Sequence, residues 1–312
     1  MRRALIIGND NYINCDTLRG CINDATNIAA RLMRNGDGSP NFEVKQINDS
    51  TTRDIKKNVE ELFQGDSVDT CLLYFSGHGC CNNIDGYVLG IDAEEYAEGM
   101  SMTEILKLAN KSKIKNKIIV LDCCYSGKMG NPTYSNDECA ISDGITILTA
   151  CGKKEYATEQ NGMGVFTSLL IDALDGGASD ILGNITPGSI YSYIDKALGA
   201  WGQRPMFKTN VSSFVEIRRI SPLIALELLR NITEYFEEYT DEFKLDPSFE
   251  DTTENFSLEN SKKFKILQKY CGLGLVKPVG EEHMYYAAMN SKSCKLTALG
   301  YQYWRLVKEG RI

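Results

Sequence analysis

The sequence predicts an α/β fold with a mostly parallel central sheet and helices on both faces, followed by a smaller α+β domain. Short, continuous apolar runs alternate with stretches of helical periodicity from Ala4 to about residue 218. These runs lack the polar alternation of strands with one face in water, which favours strands buried on both faces. The charge pattern also changes near residue 220. We therefore expect a large domain over residues 1–219 and a small one over 220–312.

Five segments have the length of strands, and each is bounded by polar or turn-forming residues; four of them are apolar runs typical of buried strands, whereas residues 42–47 include polar side chains. The first, "ALIIG", follows two arginines, and the third, "TCLLYFS", leads into a Gly-His-Gly sequence. The five expected strands cover residues 4–8, 42–47, 70–76, 117–122 and 144–151.

Helical periodicity fills the segments between and after these strands. Residues 50–63 give a clear example: a Ser/Thr start, Asp54 in the first turn, and Ile55, Val59 and Leu62 on one face. Because parallel strands need such crossovers, the alternation supports the fold class. The expected helices cover residues 24–34, 50–63, 102–111, 165–176 and 187–201.

The C-terminal part divides by charge. Residues 221–261 carry 2 Lys and Arg against 11 Asp and Glu, whereas residues 262–312 carry 10 against 3. We interpret residues 220–261 as an acidic helical connector, with one long amphipathic helix over 222–243. The basic part predicts a helix and short strand over 261–279, then a strand at "MYYAAM", a turn, and a last helix that starts near Thr297.

Composition indicates a soluble, cytoplasmic protein that contains free thiols. Hydrophobic residues make up 43% of the chain, enough for a sizeable core. The 11 cysteines are odd in number and include adjacent pairs, which argues against a disulfide framework. The N-terminal apolar run is too short for a signal peptide, and no run reaches membrane-spanning length. The net charge of −8 argues against nucleic-acid binding by the whole chain.

A histidine and a cysteine follow two of the expected strands. His78, one of only two histidines, lies in "SGHG" after strand 70–76, and Cys124 lies in "DCCYSG" after strand 117–122. Chemistry in open α/β sheets collects at the carboxyl ends of strands. Imidazole can remove a proton from a thiol near neutral pH, and the flanking glycines leave the backbone N–H groups of Gly79 and Cys124 available to bind an oxyanion.

Two alternative interpretations of this pair remain open. Either residue alone is more often a packing or surface residue than a catalytic one. Zinc binding by His78 with the Cys80–Cys81 and Cys123–Cys124 pairs is a further alternative, although the C-x2-C and H-x3-H spacings of zinc sites do not occur here. The joint placement at two strand ends favours a catalytic dyad.

The motifs "YFSGHG" and "LDCCYSG" resemble those of the caspase-like cysteine peptidases (peptidase family C14), in particular metacaspases and their bacterial relatives. The resemblance covers roughly residues 1–218, from the opening "RRALIIGNDNY" to the closing "QRPMF". It implies the caspase-haemoglobinase fold, with His78 as the catalytic base and Cys124 as the nucleophile. Cys123 then fills a variable position.

The resemblance also implies a first-residue pocket that accepts Arg or Lys. The matching positions are Cys21, Asp24, Ser76 and Asp122. Two carboxylates facing one pocket would favour a guanidinium or an ammonium group and reject Asp. The alternative roles are a plain helix cap for Asp24 and a structural hydrogen bond for Asp122. Specificity for Asp is a further alternative that these carboxylates argue against.

Many metacaspases bind calcium through an acidic cluster after the histidine motif. This chain has only scattered acidic residues there, Asp85, Asp92, Glu94 and Glu95, which argues against calcium activation. We expect no cofactor and no metal. Tyr125 replaces the histidine that often follows the nucleophile, at a position that varies among relatives.

Two segments are candidates for self-cleavage. Lys128 is the only basic residue in the polar loop 127–144, and Arg218 and Arg219 end the peptidase region. Cleavage at the first would process the enzyme, and cleavage at the second would release the tail. Both segments are equally consistent with ordinary exposed loops.

The end of the chain, "GLV…Y…KLTALGYQYW", resembles winged-helix modules over a short stretch. We expect residues 220–312 to serve as a sensor or docking module for a partner, with nucleic-acid contact as the less favoured alternative.

The leading function is a cysteine endopeptidase that cuts after Arg or Lys in a bacterial regulatory, cell-death or antiviral defence system. Its protein substrate, with exposed Arg or Lys sites, could be a gasdermin-like pore former. The alternative is an inactive caspase-like scaffold that binds nucleic acid or protein through its C-terminal domain.

Overall fold

A six-stranded sheet organises the first part of the chain in the computed structural model. The structure describes residues 1–65, 67–82, 85–94, 99–124, 126, 129, 140–150, 159–160, 163–199 and 204–312. The chain divides into two units, Met1–Ser221 and Pro222–Ile312. The strands of the first unit are β1 Arg2–Gly8, β2 Glu43–Asn48, β3 Thr70–Ser76, β4 Gly79–Cys81, β5 Gly86–Val88, β6 Met100–Ser101, β7 Asn116–Asp122, β8 Ile145–Thr149, β9 Glu159–Gln160, β10 Met163–Gly164, β11 Asn184–Ile185, β12 Met206–Asn210 and β13 Arg218–Arg219.

The main sheet has the strand order β12-β8-β7-β3-β1-β2. Strands β2, β1, β3, β7 and β8 are parallel, and β12 runs antiparallel at the edge. All seven residues of β3 and all five of β8 are buried, as continuous apolar runs predict for strands covered on both faces. The prediction of a mostly parallel sheet is confirmed.

Helices cover both faces of this sheet, and side chains of each strand alternate between two cores. Ala4 and Ile6 of β1 belong to one core with residues of the first, fourth and fifth helices. Leu5 and Ile7 belong to the other core with residues of the second and third helices. The helices of this unit are α1 Cys21–Met33, α2 Thr52–Leu62, α3 Met102–Lys111, α4 Val165–Asp172 and α5 Pro187–Leu198.

The helix boundaries follow capping chemistry. Helix α2 begins after Thr51, whose side chain accepts the Asp54 N–H, and α3 begins after Ser101, which accepts the Glu104 N–H. Helix α1 starts three residues before its predicted first residue. Its cap is Asp10, a distant side chain that local pattern reasoning does not see.

A small antiparallel sheet of order β4-β5-β6 follows directly from β3. Gly79 begins its first strand and pairs with Val88. The chain therefore leaves the parallel sheet at Ser76 and enters a second sheet three residues later. His78 lies in this short connection.

The second unit is an α+β unit with a three-stranded antiparallel sheet of order β14-β16-β15. Its longest helix, α8, begins after Ser257, whose side chain accepts the Asn260 N–H. The elements of the unit are α6 Leu226–Arg230, α7 Ile232–Tyr235, β14 Glu242–Lys244, α8 Leu258–Gly272, β15 Val276–Val279, α9 Met284–Met289, β16 Ser293–Leu296 and α10 Ala298–Lys308.

Two expectations for this unit were wrong. The single helix over 222–243 is replaced by α6, α7 and strand β14, with Asn231 between the two short helices. The segment "MYYAAM" forms helix α9 rather than a strand. The long amphipathic pattern of 222–243 is interrupted, and the short apolar pattern of "MYYAAM" fits either a helix or a strand, so tertiary packing decides in both cases.

The acidic segment 220–261 is therefore not a separate helical connector. Strand β14 pairs with β16 from the basic segment, and Phe249 packs against Phe264 of α8. Acidic and basic side chains also pair across the two segments, as Asp251 does with Lys265. Residues 222–312 together carry 12 Lys and Arg and 14 Asp and Glu, so the basic excess of the tail is offset within one unit.

The nine cysteines that the structure describes form no disulfide with one another. Among the described residues, none of the helices combines the length and the apolar composition needed to cross a membrane.

Candidate active site

The carboxyl ends of three neighbouring parallel strands define the candidate site. The register aligns Gly8 at the end of β1 with Ser76 at the end of β3, and Ser76 with Asp122 at the end of β7. His78 lies two residues after Ser76, and Cys124 lies two residues after Asp122. The sheet therefore brings the predicted base and nucleophile to equivalent positions beyond adjacent strands.

His78 is half-buried and is held by the loop that follows β1. Its backbone N–H donates to the Tyr12 hydroxyl at 2.8 Å, and the Tyr12 ring lies 4.6 Å from the imidazole, centroid to centroid. Its Nε2 lies 2.7 Å from the Asp16 carbonyl oxygen. A carbonyl only accepts, so Nε2 carries the proton and the lone pair lies on Nδ1. In this tautomer, Nδ1 is the nitrogen that can take a proton from a thiol.

The loop from Asp10 to Leu18 that provides these contacts is itself anchored. The N–H of Leu18 donates to the Asp10 carbonyl, and the N–H of Ile13 donates to the Ile91 carbonyl, both at 2.9 Å. The side chain of Asn14 donates to the Ala93 carbonyl at 3.2 Å. These bonds tie the loop to the segment after β5, which fixes the two groups that orient His78.

Cys124 is half-buried and follows the fully buried Cys123. Gly79 allows the two segments to approach, because a methyl group at this position would lie 2.5 Å from the Cys124 carbonyl oxygen. Two other thiols lie in apolar surroundings: burial raises the pKa of Cys71 to about 12 and, with further contributions from Cys271 and Glu242, that of Cys294 to about 12. Those two thiols are therefore inert at neutral pH.

Asp24 points from the first turn of α1 towards the ends of β3 and β7. Only 1% of the residue is exposed. Its Oδ2 accepts from the Ser76 hydroxyl at 3.3 Å and from the Gly164 N–H at 3.1 Å. The helix-cap role considered for Asp24 goes instead to Asp10, which accepts from the N–H groups of Cys21 and Ile22.

Asp122 is also buried, with 6% of the residue exposed. Its Oδ2 accepts from the Thr167 hydroxyl at 2.7 Å, so the structural hydrogen bond considered for this residue exists. A methyl group at Gly164 would lie 2.5 Å from Asp122 Oδ2 and 3.1 Å from Asp24 Oδ2. The two carboxylates therefore both pack against the backbone of Gly164, where the absence of a side chain lets them lie this close.

Five residues of the site escaped sequence reasoning: Asp10, Tyr12, Asp16, Gly164 and Thr167. Asp10 and Tyr12 lie in the polar segment after β1, so the strand-end rule could have flagged them. Gly164 and Thr167 flank the start of α4, more than 40 residues beyond Asp122. No local pattern indicates that they contact it.

Cys21 occupies the first position of α1, beside the end of β1. Gly8 makes this close approach feasible, because a methyl group there would lie 2.4 Å from the Cys21 carbonyl oxygen. The cap from Asp10 and the small residue at Gly8 together set where α1 begins. They thereby set the positions of both Cys21 and Asp24.

The candidate self-cleavage residues fall in different settings. Lys128 lies outside the described residues. Arg218 and Arg219 form β13, which pairs with β11, and the Arg219 carbonyl accepts from the Gly36 N–H at 2.7 Å. The Arg218 side chain binds Asp175 and the Leu174 carbonyl. Cleavage after either arginine would require this strand to detach first.

The acidic residues after the histidine motif serve local structure. Asp85 accepts from the Thr103 N–H at 3.1 Å and from the Ser101 hydroxyl, and Asp92 accepts from the Thr52 N–H at 2.7 Å at the start of α2. Glu95 lies outside the described residues. Within the described ranges, His, Cys, Asp and Glu form no group of three that could hold a metal ion.

A cavity of about 380 Å³ lies at the opposite, amino end of the strands. It is lined by the amino ends of β1 and β2 and by the end of α2, including Arg3, Lys45 and Glu61. Lys45 and Glu61 form an ion pair there at 3.0 Å. This cavity lies away from the strand ends that carry His78 and Cys124.

An α/β sheet with histidine and cysteine beyond the ends of two adjacent parallel strands defines the class of caspase-like folds. A family model described as "Caspase domain" (Peptidase C14) matches residues 1–210. The chain therefore belongs to the caspase-domain family, and the predicted family resemblance is confirmed.

A solved structure agrees on the fold. The crystal structure of protein GSU0716 from Geobacter sulfurreducens is similar over 71% of this chain and 98% of its own, with a TM-score of 0.52 and 18% identity. At that identity the likeness concerns the fold alone. A search of curated proteins gave no match. The winged-helix character of the second unit stays a prediction.

Proposed function

We propose that this protein is a cysteine endopeptidase that cleaves protein chains after Arg or Lys, with His78 and Cys124 as its dyad. The observation that carries the proposal is the convergence of two buried carboxylates, Asp24 and Asp122, beside the strand ends that bear the dyad. Family membership supports peptidase chemistry in general. The two carboxylates favour substrates with a positively charged residue at the cleavage site.

Electrostatics supports a basic residue in this pocket. A cation 4 Å from one carboxylate gains about 4 kcal/mol at the effective dielectric constant typical of protein sites, and an Asp side chain would be repelled by a similar amount. Ser76, Gly164 and Thr167 donate hydrogen bonds to the pair without adding positive charge. The charge that a guanidinium or ammonium group would meet is therefore retained.

The reaction follows the arrangement of the dyad. Nδ1 of His78 takes the Cys124 proton, and the sulfur attacks the backbone carbonyl carbon of the bound Arg or Lys. The N–H groups of Gly79 and Cys124 bind the oxyanion. His78 protonates the departing amine as the C–N bond breaks, and water then hydrolyses the thioester. Asp16 keeps the imidazole in the tautomer that this sequence of steps requires.

The first test compares the wild type with Cys124→Ala on fluorogenic peptides that end in Arg, Lys or Asp, with and without calcium. Cleavage after Arg and Lys that is lost in the variant and independent of calcium is expected. Cleavage after Asp would contradict the proposed pocket. Cleavage that persists in Cys124→Ala would contradict the dyad.

The proposed setting is a bacterial regulatory, cell-death or antiviral system in the cytoplasm, with a protein substrate such as a gasdermin-like pore former. Residues 220–312 are proposed to dock a partner or sense a trigger. This part rests on the family resemblance and on the separate fold of the second unit. Comparing cleavage of candidate substrates by wild type and Cys124→Ala in cells would test it.

A further inference from the structure

A chain of three buried hydroxyl and carboxyl groups runs from the core to the carboxylate pair. The Tyr74 hydroxyl lies 2.6 Å from the Thr167 hydroxyl, which donates to Asp122 Oδ2 at 2.7 Å. Neither Tyr74 nor Thr167 is exposed to solvent. Because a carboxylate only accepts, the single Thr167 proton goes to Asp122, and Tyr74 must therefore donate to Thr167. The chain has one direction, from Tyr74 to Asp122.

We propose that Thr167, supported by Tyr74, is a specificity-positioning residue that holds the Asp122 carboxylate in the orientation that binds a substrate guanidinium or ammonium group. This inference rests on the proposed function and extends it to residues outside the family motifs. Thr167 acts through Asp122 and is not itself a catalytic residue.

Three features of the site support this role. Donors in a chain polarise one another, which strengthens the last hydrogen bond to the carboxylate. Burial, with the nearby charges of Asp122 and Asp24, raises the pKa of Tyr74, so its hydroxyl stays a donor. The donors are neutral, so they orient Asp122 and leave its negative charge for the ligand. A lysine or arginine at position 167 would orient it but cancel that charge.

Geometry indicates which orientation is selected. The oxygen that Thr167 binds, Oδ2, is the one that packs against Gly164, where Oδ2 of Asp24 also lies. Thr167 is the third residue of α4, and Gly164 is its N-cap. The same turn of backbone thus binds Asp24 through the Gly164 N–H and Asp122 through the Thr167 hydroxyl.

The test measures binding separately from turnover. Agmatine, which carries a guanidinium group on a four-carbon chain, is titrated by calorimetry into the full-length wild type and into Thr167→Val, Thr167→Ser and Tyr74→Phe. Because a hydrogen bond to a charged group is lost, Thr167→Val should weaken agmatine binding by about tenfold or more. Thr167→Ser keeps the hydroxyl and should bind agmatine with about the wild-type affinity. The affinity of Tyr74→Phe should lie between those of Thr167→Val and Thr167→Ser.

Two controls exclude a general defect. Thr146→Val removes another buried hydroxyl, bonded to Thr209 in the same sheet, and should leave agmatine binding unchanged. The rate at which iodoacetamide alkylates Cys124, followed by mass spectrometry, should be the same in all variants. In peptide assays, Thr167→Val should raise KM for Arg and Lys substrates more than it lowers kcat.

The outcomes separate this inference from the proposed function. Suppose that the wild type shows no peptidase activity but binds agmatine, and that Thr167→Val weakens this binding. That result would support the acidic pocket and refute the proposed peptidase activity. Unchanged binding in Thr167→Val, or equal losses in Thr167→Val and Thr167→Ser, would overturn the role of the hydroxyl. A wild type that does not bind agmatine would overturn both the inference and the acidic pocket.

Discussion

The Tyr12 hydroxyl provides the backbone support for the predicted catalytic base. It accepts the His78 N–H at 2.8 Å and lies 3.4 Å from the Leu89 carbonyl, while the His78 carbonyl accepts the Leu89 N–H. Burial raises the pKa of Tyr12, so it stays protonated. The backbone of His78 is therefore held on both sides, at its N–H by the Tyr12 hydroxyl and at its carbonyl by the Leu89 N–H.

Tyr12→Phe tests this support. The ring contact with His78 remains, but a buried N–H loses its acceptor, which should lower the free energy of unfolding by about 1–3 kcal/mol. Because the imidazole is displaced from the thiol, kcat should fall by about tenfold or more with little change in KM. Kinetics on an Arg peptide and urea unfolding measure the two effects.

Tyr270→Phe is the matched control for Tyr12→Phe. Its buried hydroxyl also binds a backbone carbonyl, that of Leu228, but in the second unit. It should lose stability and keep the kinetic constants of the wild type. Equal kcat in Tyr12→Phe and wild type would show that the hydroxyl does not position His78.

Gly164→Ala probes the close packing of the two carboxylates against Gly164. The backbone at Gly164 has a φ of −64°, which alanine adopts without strain, so the effect is purely steric. The added methyl group would lie 2.5 Å from Asp122 Oδ2. We expect a large rise in KM for Arg and Lys peptides, with unchanged alkylation of Cys124 by iodoacetamide.

Gly272→Ala provides the comparison for Gly164→Ala. It lies at the end of α8 with no atom within 4 Å of an added methyl group, and should leave KM unchanged. A Gly164→Ala protein with wild-type KM would mean that crowding the Asp24 and Asp122 carboxylates does not affect substrate binding.

At the scale of elements, Asp175 connects α1 to β13. Arg31 of α1 and Arg218 of β13 each form an ion pair with it at 2.9 Å. Burial alone would raise the pKa of Asp175, but the hydrogen bonds from the two arginines outweigh it and hold that pKa below its usual range. We call these two ion pairs the Asp175 clamp. The clamp fixes strand β13, which contains the two arginines considered for self-cleavage.

This clamp should make stability depend on pH. A carboxyl group whose pKa is lowered by folding stabilises the protein above its unfolded pKa, and the stabilisation is lost as the pH falls through the folded pKa. Asp175 is 45% exposed, so we expect only about 0.5–1 kcal/mol for the clamp.

Urea unfolding of wild type and Asp175→Asn measures this difference. The two proteins should differ at neutral pH and converge as the pH falls to about 3. A difference that stays constant over this range would mean that the Asp175 charge does not contribute.

At the scale of the whole molecule, the two units have separate cores. The second unit buries Trp304, whose indole N–H donates to the Phe236 carbonyl at 2.7 Å. Trp304 is the only tryptophan in residues 222–312. We expect a protein of residues 222–312 to fold alone and to unfold in one cooperative transition followed by Trp304 fluorescence. A fluorescence maximum typical of solvent-exposed tryptophan before denaturant is added would contradict this.

The same fragment tests the nucleic-acid alternative. Its net charge is −2, because 14 acidic residues accompany 12 basic ones, and several of the basic side chains are paired. Duplex DNA binding depends on neutralising phosphates and falls steeply with salt. We expect no salt-dependent binding to duplex DNA. Binding that weakens as salt rises would instead favour a regulator that contacts nucleic acid.

The sequence by itself determined the five parallel strands of the main sheet, the five helices of the first unit and the placement of His78 and Cys124 after two of those strands, but not the edge strand β12 or the small sheet β4-β5-β6. Continuous apolar runs and capped amphipathic segments are local signals, and parallel strands carry the residues after them to one edge. The two residues of the acidic pair, Asp24 and Asp122, were instead predicted from the resemblance of their motifs to those of the caspase-like family.

Tertiary structure alone decided the rest of the site and the form of the second unit. Tyr12, Asp16, Gly164 and Thr167 act through contacts between segments that are distant in sequence, and no local period encodes such contacts. The conformation of segments 222–243 and 284–289 depends on what they pack against, and their local sequence patterns do not specify it. Local chemistry therefore set the strands and the dyad, whereas long-range packing set the groups that hold the dyad and its pocket in place.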